Sequence, residues 1–331
     1  MKLAVIGTGK IISEALLAMA QVKDIELSAI FGRAHSKDKA EAFAREYGIP
    51  SVYTDYEELL ETSEADTVYI GLVNSVHYEY AKKALLFNKN VILEKPFCST
   101  FRESKELADL AEQNHCYIFE AITPRHSLVY EKMKELLPSL GDIHLVLANY
   151  SQYSSRYDKY KNGEVLPAFD PQLSGGTLYD LGIYNISLLY GLLGISEEVV
   201  YYPNKGFNGI DTSGILLARY PKFLASLTAA KDSDSECFFS VQGDKGWLRM
   251  AGKPNEMKKL EIFLNGELAT YEPQLEVNRM VREFKDFARI LLEDKYEEMR
   301  QDLKYTLAVS EMMEKARKAA GIVFGVDESP N

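Results

Sequence analysis

The first 121 residues alternate short β-branched runs with helical patterns, and this rhythm limits the possible folds more than any other feature of the chain. Strands are predicted at residues 3–6, 26–31, 51–53, 67–72, 91–94 and 117–121. The run Val68-Tyr69-Ile70-Gly71-Leu72 is almost continuously apolar, which is typical of a parallel strand buried on both faces. The pattern predicts a doubly wound α/β domain over residues 1–121.

A different rhythm begins after a predicted helix at residues 129–137. Asn265-Gly266 is a strong hairpin signal, because both central positions of a two-residue turn need positive φ. We therefore expect a second α+β domain, residues 122–331, on a large and mostly antiparallel open sheet with two closing helices at 279–292 and 303–319. Its strands are predicted at residues 143–153, 212–220, 223–231, 237–242, 247–250 and 260–264.

Charge and cysteine usage exclude several classes of partner. The 331 residues include 38 Lys+Arg and 49 Asp+Glu, a formal net charge of −11, so we expect neither nucleic acid nor a membrane surface as partner. Cys98, Cys116 and Cys237 are too few and too widely spaced for a disulfide framework or a zinc motif, so we expect reduced thiols and no metal. The N-terminal apolar run is too short for a signal peptide, and we expect a cytoplasmic protein.

A glycine turn follows the first predicted strand. Gly7-Thr8-Gly9 precedes a helical pattern, the context that a dinucleotide fingerprint needs. Gly7 allows the tight turn, and Gly9 leaves room for a pyrophosphate at the positive end of the helix, beside Lys10 and Ile11. Ile12 replaces the third glycine and weakens the motif, so a purely structural strand-to-helix turn is the alternative.

The end of the second strand carries no carboxylate. An NAD site usually places an acidic side chain there to bind the ribose 2′-hydroxyl. The sequence instead offers Gly32, Arg33 and Ser36, with Lys37 as a further candidate, to hold a 2′-phosphate. NADP is therefore predicted over NAD, and the alternative is that Arg33 is a solvated loop residue.

Polar residues also follow the fourth and fifth strands. Because open α/β folds place their ligand at the carboxyl ends of the strands, we expect these residues near the coenzyme. The alternatives are a solubilising lysine at a strand end and a histidine that begins a helix. The candidates are Val73, Asn74, His77, Glu94, Lys95 and Pro96.

A third cluster lies in the second half of the chain. Gly175-Gly176 precedes a predicted helix in which Asp180 and Tyr184 share one face and pair a carboxylate with a phenol. The structural alternative is that Thr177 and Asp180 form a capping box while Tyr184 packs in the core.

Together these motifs resemble the Gfo/Idh/MocA (glucose-fructose oxidoreductase/inositol dehydrogenase) family in order and approximate spacing over almost the whole chain. The resemblance implies an NAD(P)-binding Rossmann domain at residues 1–121 and a substrate-binding domain at residues 122–331. The outer sheet face of the second domain would form a homodimer or homotetramer. It also implies a cis Lys95-Pro96 bond. Asp180 and Tyr184 resemble the branch that includes dihydrodiol dehydrogenases and glucose-fructose oxidoreductase, in which tyrosine stands where inositol dehydrogenases have histidine.

The resemblance also implies roles for three residues. Lys95 would reach the substrate hydroxyl beside the nicotinamide, Tyr184 would transfer the proton, and Asp180 would orient the Lys95 ammonium or the substrate hydroxyls. The expected reaction moves a hydride between nicotinamide C4 and a carbinol carbon of a sugar, polyol or cyclic diol. Two other functions stay open: a nicotinamide-nucleotide sensor without turnover, and a nicotinamide-dependent glycosidase.

Further substrate contacts are predicted outside these motifs. Arg125 and His126 follow the sixth strand, and Tyr153 opens a run in which tyrosines and basic residues interleave. Aromatic faces can cover sugar C–H surfaces while polar groups bind hydroxyls. The same run fits an exposed, partly disordered loop equally well.

Overall fold

A computed structural model describes residues 1–328. In its first part, six strands alternate with five helices, and the predicted strand positions are confirmed to within a few residues. These elements are β1 (Lys2–Ile6), α1 (Lys10–Met19), β2 (Glu26–Phe31), α2 (Lys37–Tyr47), β3 (Ser51–Tyr53), α3 (Tyr56–Thr62), β4 (Thr67–Ile70), α4 (His77–Leu86), β5 (Asn90–Glu94), α5 (Phe101–Gln113) and β6 (Ile118–Ala121).

The remaining described chain contains strands β7 to β14 and helices α6 to α11. A π-helical turn, Leu178–Gly182, runs directly into α8. The elements are α6 (Leu128–Leu136), β7 (Ile143–Ser151), α7 (Tyr157–Lys161), α8 (Ile183–Leu193), β8 (Glu198–Lys205), β9 (Asp211–Arg219), β10 (Leu224–Ala230), β11 (Phe238–Gly243), β12 (Gly246–Ala251), β13 (Lys259–Leu264), β14 (Glu267–Tyr271), α9 (Val281–Leu292), α10 (Tyr296–Ala319) and α11 (Gly325–Glu328).

The first sheet is parallel throughout, in the order β3-β2-β1-β4-β5-β6. Residues 3–6 of β1 are completely buried, as expected for a central strand covered by helices on both faces. The strand order reverses between β1 and β4, and open α/β sheets bind ligands outside the carboxyl ends at such a point. The expected Rossmann architecture is confirmed.

The second sheet has the order β14-β13-β12-β11-β7-β10-β9-β8. Neighbouring strands are antiparallel except β7 and β10, which run parallel. Along β7, Val146 and Ala148 are buried while Leu145 is exposed, so the sheet has one covered and one open face. The expected mostly antiparallel sheet is confirmed, with β8 and β14 as additional edge strands.

The chain divides into two compact units at positions that differ from the simple split at residue 121. The first unit comprises Met1–Ala121 and Glu276–Leu307, and the second comprises Ile122–Leu275 and the chain from Ala308 onward. The sequence prediction places the segment 276–307 in the second domain. It belongs to the first unit because Phe284 and Phe287 of α9 pack on Tyr69 and Phe119 of the parallel sheet, with ring centroids 5.4 and 4.8 Å apart. Within residues 1–328, no helix combines the length and apolarity needed to cross a membrane.

Candidate active site

The glycine turn after β1 leaves the amino end of α1 open. Gly7 has φ +125°, and a side chain there would meet the Gly71 carbonyl oxygen at 2.8 Å. Gly9 is the N-cap of α1 in extended geometry, and a Cβ atom at this position would contact nothing within 4 Å. The first turn of α1 has neither a side-chain cap nor an acidic residue, so its N–H groups suit a phosphate.

Ile12 replaces the third fingerprint glycine without crowding the turn. Its side chain is completely buried, and a Cβ atom on Gly71 would lie only 2.7 Å from Ile12 Cδ1. The absence of a side chain on Gly71, just after β4, therefore provides the space that a glycine on the helix usually provides. This departure from the motif is accommodated inside the first unit.

The turn after β2 presents a cation. Ser36 Oγ donates a hydrogen bond to the Arg33 carbonyl oxygen at 3.0 Å, and the Ser36 N–H donates to the same oxygen at 2.7 Å. The Arg33 side chain is exposed and has no hydrogen-bond or ion-pair partner among residues 1–328. Gly32 lies close to the glycine turn, because a Cβ atom there would be 3.1 Å from Thr8 Cγ2.

His77 lies behind the rim formed by the ends of β4 and β5. Its ring is completely buried, with Nδ1 2.9 Å from the Pro96 carbonyl oxygen and Nε2 3.2 Å from the Leu72 carbonyl oxygen. Burial lowers the pKa of the His77 imidazole. The His77 ring thus connects the segments that follow β4 and β5. Val73 and Asn74 are partly exposed on the rim.

The predicted cis Lys95-Pro96 bond is present directly after β5. Glu94 is buried, and its carboxylate accepts hydrogen bonds from the Tyr69 hydroxyl at 2.7 Å and from the Lys95 N–H at 3.2 Å. Burial raises the pKa of the Glu94 carboxyl. Glu94 therefore fixes the backbone of Lys95, whose side chain is partly exposed at the strand end.

A second buried carboxyl belongs to the same unit. Glu283 of α9 is completely buried, and neither carboxylate oxygen has a hydrogen-bond partner in the described chain. Burial raises the pKa of Glu283 well above its ordinary value, the charge of Glu94 raises it further, and that of Arg279 lowers it. Sequence reasoning missed Glu283. The available signal was an acidic residue inside the apolar stripe that includes Val281 and Phe284.

In the second unit, the Gly175-Gly176 segment is shaped by a buried aspartate. Gly176 has φ +100°, and a side chain there would collide with the Asp211 carboxylate. That carboxylate accepts the Leu178 N–H at 2.6 Å, while the Thr177 hydroxyl donates to the Asp211 carbonyl oxygen at 3.2 Å. Asp211 thus caps the helical segment, and Thr177 makes no side-chain cap. The capping-box alternative for Thr177 and Asp180 is wrong.

Asp180 lies within the π-helical turn, and π-bulges are frequent at functional sites. Its Oδ2 atom is 2.7 Å from Nζ of Lys231, so the ammonium that the second unit places beside Asp180 is Lys231. Tyr184, in the following helical turn, is buried, with its ring 5.7 Å from that of Tyr150 in a T-shaped contact. Lys95 belongs to the first unit, and Asp180 and Tyr184 belong to the second.

Lys231 was missed as a functional candidate, although the sequence contained a signal. Ala225, Leu227 and Ala229 of β10 form the buried row of the strand, and Lys231 continues that spacing of two residues. A lysine at an inward-facing position is unusual without a charged partner. Strand alternation could therefore have identified it, but not its partner.

The remaining predicted substrate residues also lie in the second unit. Arg125 is half-buried and His126 is buried, in a 3₁₀ turn at Thr123–His126. The Tyr153 hydroxyl donates to Asp158 at 2.7 Å and accepts from Lys161 Nζ at 3.0 Å. The run that follows forms the short helix α7 rather than a disordered loop. Contact of these three residues with substrate stays a prediction.

Comparison with known proteins identifies the family. A model described as "Oxidoreductase family, NAD-binding Rossmann fold" matches residues 1–122, and a model of the GFO/IDH/MocA C-terminal domain matches residues 130–249. The scyllo-inositol 2-dehydrogenase (NADP(+)) of Bacillus subtilis is 30% identical over 329 residues, 99% of each chain. The chain belongs to the GFO/IDH/MocA family. It is therefore an NAD(P)-dependent oxidoreductase.

Other members of the GFO/IDH/MocA family are similar along the whole chain. The trans-1,2-dihydrobenzene-1,2-diol dehydrogenase of Mus musculus is 26% identical, and the alignment covers 98% of each chain. A crystal structure of a 3-ketoreductase from Actinomadura kijaniata with NADP and TDP-benzene matches with a TM-score of 0.85. It is 21% identical and covers 96% of this chain and 97% of that one, so it supports the fold alone.

Proposed function

We propose that this protein is an NADP-dependent dehydrogenase or reductase acting on a CH–OH group of a sugar, polyol or cyclic diol. The observation that carries the proposal is that the two units contain, each within itself, groups of the kinds that such chemistry needs. An open helix end follows β1, a lysine and a cis-proline follow β5, and a carboxylate and a phenol lie on one continuous helical segment.

The glycine turn and the β2 turn fit the coenzyme. Gly7, Thr8 and Gly9 would bring the diphosphate against the uncapped N–H groups of α1, next to Lys10 and Ile11. Arg33 and Ser36 would bind the 2′-phosphate, since the Arg33 guanidinium is exposed and not occupied by a carboxylate of the described chain. When bound, the coenzyme supplies the hydride acceptor or donor.

The chain's own residues would handle the substrate and its proton. We propose that Lys95 binds the substrate hydroxyl and that Tyr184 transfers the hydroxyl proton. An ordinary tyrosine has a pKa of about 10, so it needs a cation nearby to act as a base near neutrality. Asp180, whose Oδ2 atom Lys231 contacts, would bind substrate hydroxyls. The names of the relatives that act on inositol, xylose and dihydrodiols support this substrate class.

We further propose a homo-oligomer formed through the open face of the second sheet, in the cytoplasm. Supporting the interface, β7, β9 and β10 expose Leu145, Ile215, Leu217 and Leu224, each at least 40% accessible. Apolar patches of this kind on soluble chains mark interaction sites. Supporting the compartment, all three cysteines are free and buried, which fits a reducing environment.

The test is turnover by the purified protein. NADPH fluorescence and absorbance would be followed with scyllo-inositol, D-xylose and a trans-dihydrodiol, and with the oxidised counterpart of each compound. We expect NADP-dependent oxidation or NADPH-dependent reduction of at least one compound. The Tyr184→Phe variant should bind NADPH normally but lose about 10²- to 10⁴-fold in kcat, the usual contribution of a general acid or base. Unchanged turnover by Tyr184→Phe would remove the proton-transfer role.

Two other outcomes would redirect the assignment. Tight NADPH binding without reaction of any compound would favour a nucleotide-binding sensor. Release of the aglycone from a chromogenic glycoside, dependent on the coenzyme, would favour a glycosidase.

A further inference from the structure

Lys231 is a buried cation at the end of β10. Its side chain is 3% exposed and continues the inward row of Ala225, Leu227 and Ala229. Burying an ammonium costs free energy unless it is paired and hydrogen-bonded. A packing role alone would be filled at lower cost by an apolar residue, so the charge requires a reason.

Three contacts surround the ammonium. Lys231 Nζ lies 2.7 Å from Asp180 Oδ2, donates to the Ala168 carbonyl oxygen at 3.0 Å, and sits 4.7 Å from the centre of the Phe169 ring. The carboxylate, a carbonyl oxygen and an aromatic face are all groups that stabilise a cation in the interior.

The backbone of Lys231 is fixed from both sides. Its N–H donates to the Thr212 carbonyl oxygen at 2.8 Å, and its carbonyl oxygen accepts the Ser154 N–H at 2.9 Å. Lys231 thus starts from a fixed strand end, and its ammonium is directed by the three contacts described above. A rigid support of this kind is what a precisely oriented functional group requires.

Asp180 differs from Lys231 in its exposure. Its side chain is 36% exposed, whereas the lysine behind it is buried. The pair is therefore arranged with the cation on the interior side and the carboxylate toward solvent. The arrangement leaves the carboxylate accessible, as contact with a ligand requires, while its cationic partner is held in the interior.

We propose that Lys231 is a positioning residue that holds the Asp180 carboxylate in one orientation for the substrate. This inference rests on the proposed function, because it concerns the same carboxylate. The rival explanation is that Lys231 only tethers the 168–169 segment or stabilises Asp211, whose carboxyl also feels the Lys231 charge. The two explanations differ in whether the effect of removing Lys231 depends on Asp180.

A double-mutant cycle separates them. Wild type, Lys231→Met, Asp180→Asn and the double variant would be compared in kcat and KM with an active substrate from the panel above. Lys231→Met should lower kcat/KM about 10- to 100-fold, with the KM for NADPH unchanged. The double variant should match Asp180→Asn within about threefold, because the lysine acts through the aspartate. Lys222→Met, at the opposite end of β10 on an exposed side chain, is the matched control and should behave as wild type.

The same four proteins would be compared by urea unfolding, which needs no substrate. We expect the midpoint losses of the two single variants to exceed, when added, the loss of the double variant. The inference would be overturned if the losses of kcat/KM in the two single variants multiplied in the double variant. It would also be overturned if their losses in unfolding midpoint simply added. A wild type without turnover would contradict the proposed function, and the unfolding cycle would still decide whether Lys231 holds Asp180.

Discussion

The Arg33 carbonyl oxygen holds the turn after β2, whereas its exposed side chain is the group proposed to bind the 2′-phosphate. Coenzyme preference can therefore be tested at this single residue. The local turn is held by hydrogen bonds from Ser36 to the Arg33 carbonyl oxygen, so a substitution leaves the turn intact. Arg33→Asp removes the cation and adds a carboxylate that would repel a 2′-phosphate and accept from a ribose 2′-hydroxyl. We expect the KM for NADP to rise about 10- to 100-fold, since charge-assisted hydrogen bonds contribute about 1.5–3 kcal/mol.

The measurement is steady-state kinetics with NADP and NAD side by side. Arg45→Asp, on an exposed arginine of α2, is the control for a change of two charge units. An unchanged preference for NADP in Arg33→Asp would show that another group binds the 2′-phosphate.

The buried Glu283 carboxyl should make the free energy of unfolding depend on pH. Because burial raises its folded pKa above the unfolded value, the native protein keeps a proton that the unfolded chain releases. Stability attributable to this residue therefore falls as pH rises above the unfolded pKa of about 4.5, by about 1.4 kcal/mol for each unit of pKa difference. We expect Glu283→Gln to be more stable than wild type at pH 7 and equal to it near pH 4.

Urea unfolding from pH 4 to pH 8 measures this difference. Glu61→Gln changes an exposed glutamate of α3 in the same unit and should track wild type throughout. A stability difference between Glu283→Gln and wild type that stays constant with pH would mean that Glu283 is ionised in the native protein.

Among elements, the amino end of α1 allows function to be separated from stability. Gly9 has φ −69° and ψ −178°, and no atom would meet its Cβ, so a side chain is sterically permitted. Aspartate at this N-cap can accept N–H groups of the first turn, so Gly9→Asp should match or exceed wild type in stability by a few tenths of a kcal/mol. The same carboxylate would stand where the diphosphate must approach, and we expect NADPH affinity to fall more than 100-fold.

Thermal unfolding and NADPH titration of one preparation check both halves of this prediction. Gly9→Ala adds a methyl group without charge or cap, so its loss of affinity should be smaller than that of the aspartate. If Gly9→Asp bound NADPH as tightly as wild type, the coenzyme diphosphate would not lie at the amino end of α1.

The sequence predicted the central elements and missed those at the margins. Buried strands such as β1 and β4 have apolar runs that follow from burial, and they were located to within a few residues. The two missed strands, β8 and β14, are the edges of the second sheet. β14 is exposed along nearly its whole length and shows no alternation, and β8 contains Pro203, a residue tolerated only at sheet edges.

The candidate site was predictable where a motif fixes the local backbone, as at Gly7 and Lys95. It was not predictable where long-range contacts decide, because the partner of a buried charge is set by the fold. The Lys231–Asp180 contact joins residues 51 positions apart, and the position of Glu283 depends on α9 returning to the first unit.

At the scale of the whole molecule, the open face of the second sheet determines the proposed assembly. Leu217 of β9 is 44% exposed on that face, close to Ile215 and opposite Ser226 of β10, and β9 is the strand next to the edge strand β8. In a two-fold dimer each residue occurs twice, so Leu217→Lys would place two charges in the apolar contact. Without a partner charge, each buried ammonium costs several kcal/mol, which should dissociate the assembly at micromolar concentration.

Light scattering coupled to size exclusion measures the mass directly. We expect an integral multiple of 37.4 kDa for wild type and a monomer for Leu217→Lys. Leu86→Lys changes another exposed leucine, 58% accessible on α4 of the first unit, and should keep the wild-type mass. A wild-type oligomer that survives Leu217→Lys would move the interface away from this face. Since the charged variant alters only a solvent-exposed side chain of the isolated chain, an unchanged unfolding midpoint in urea at low protein concentration would attribute its effect to assembly rather than folding.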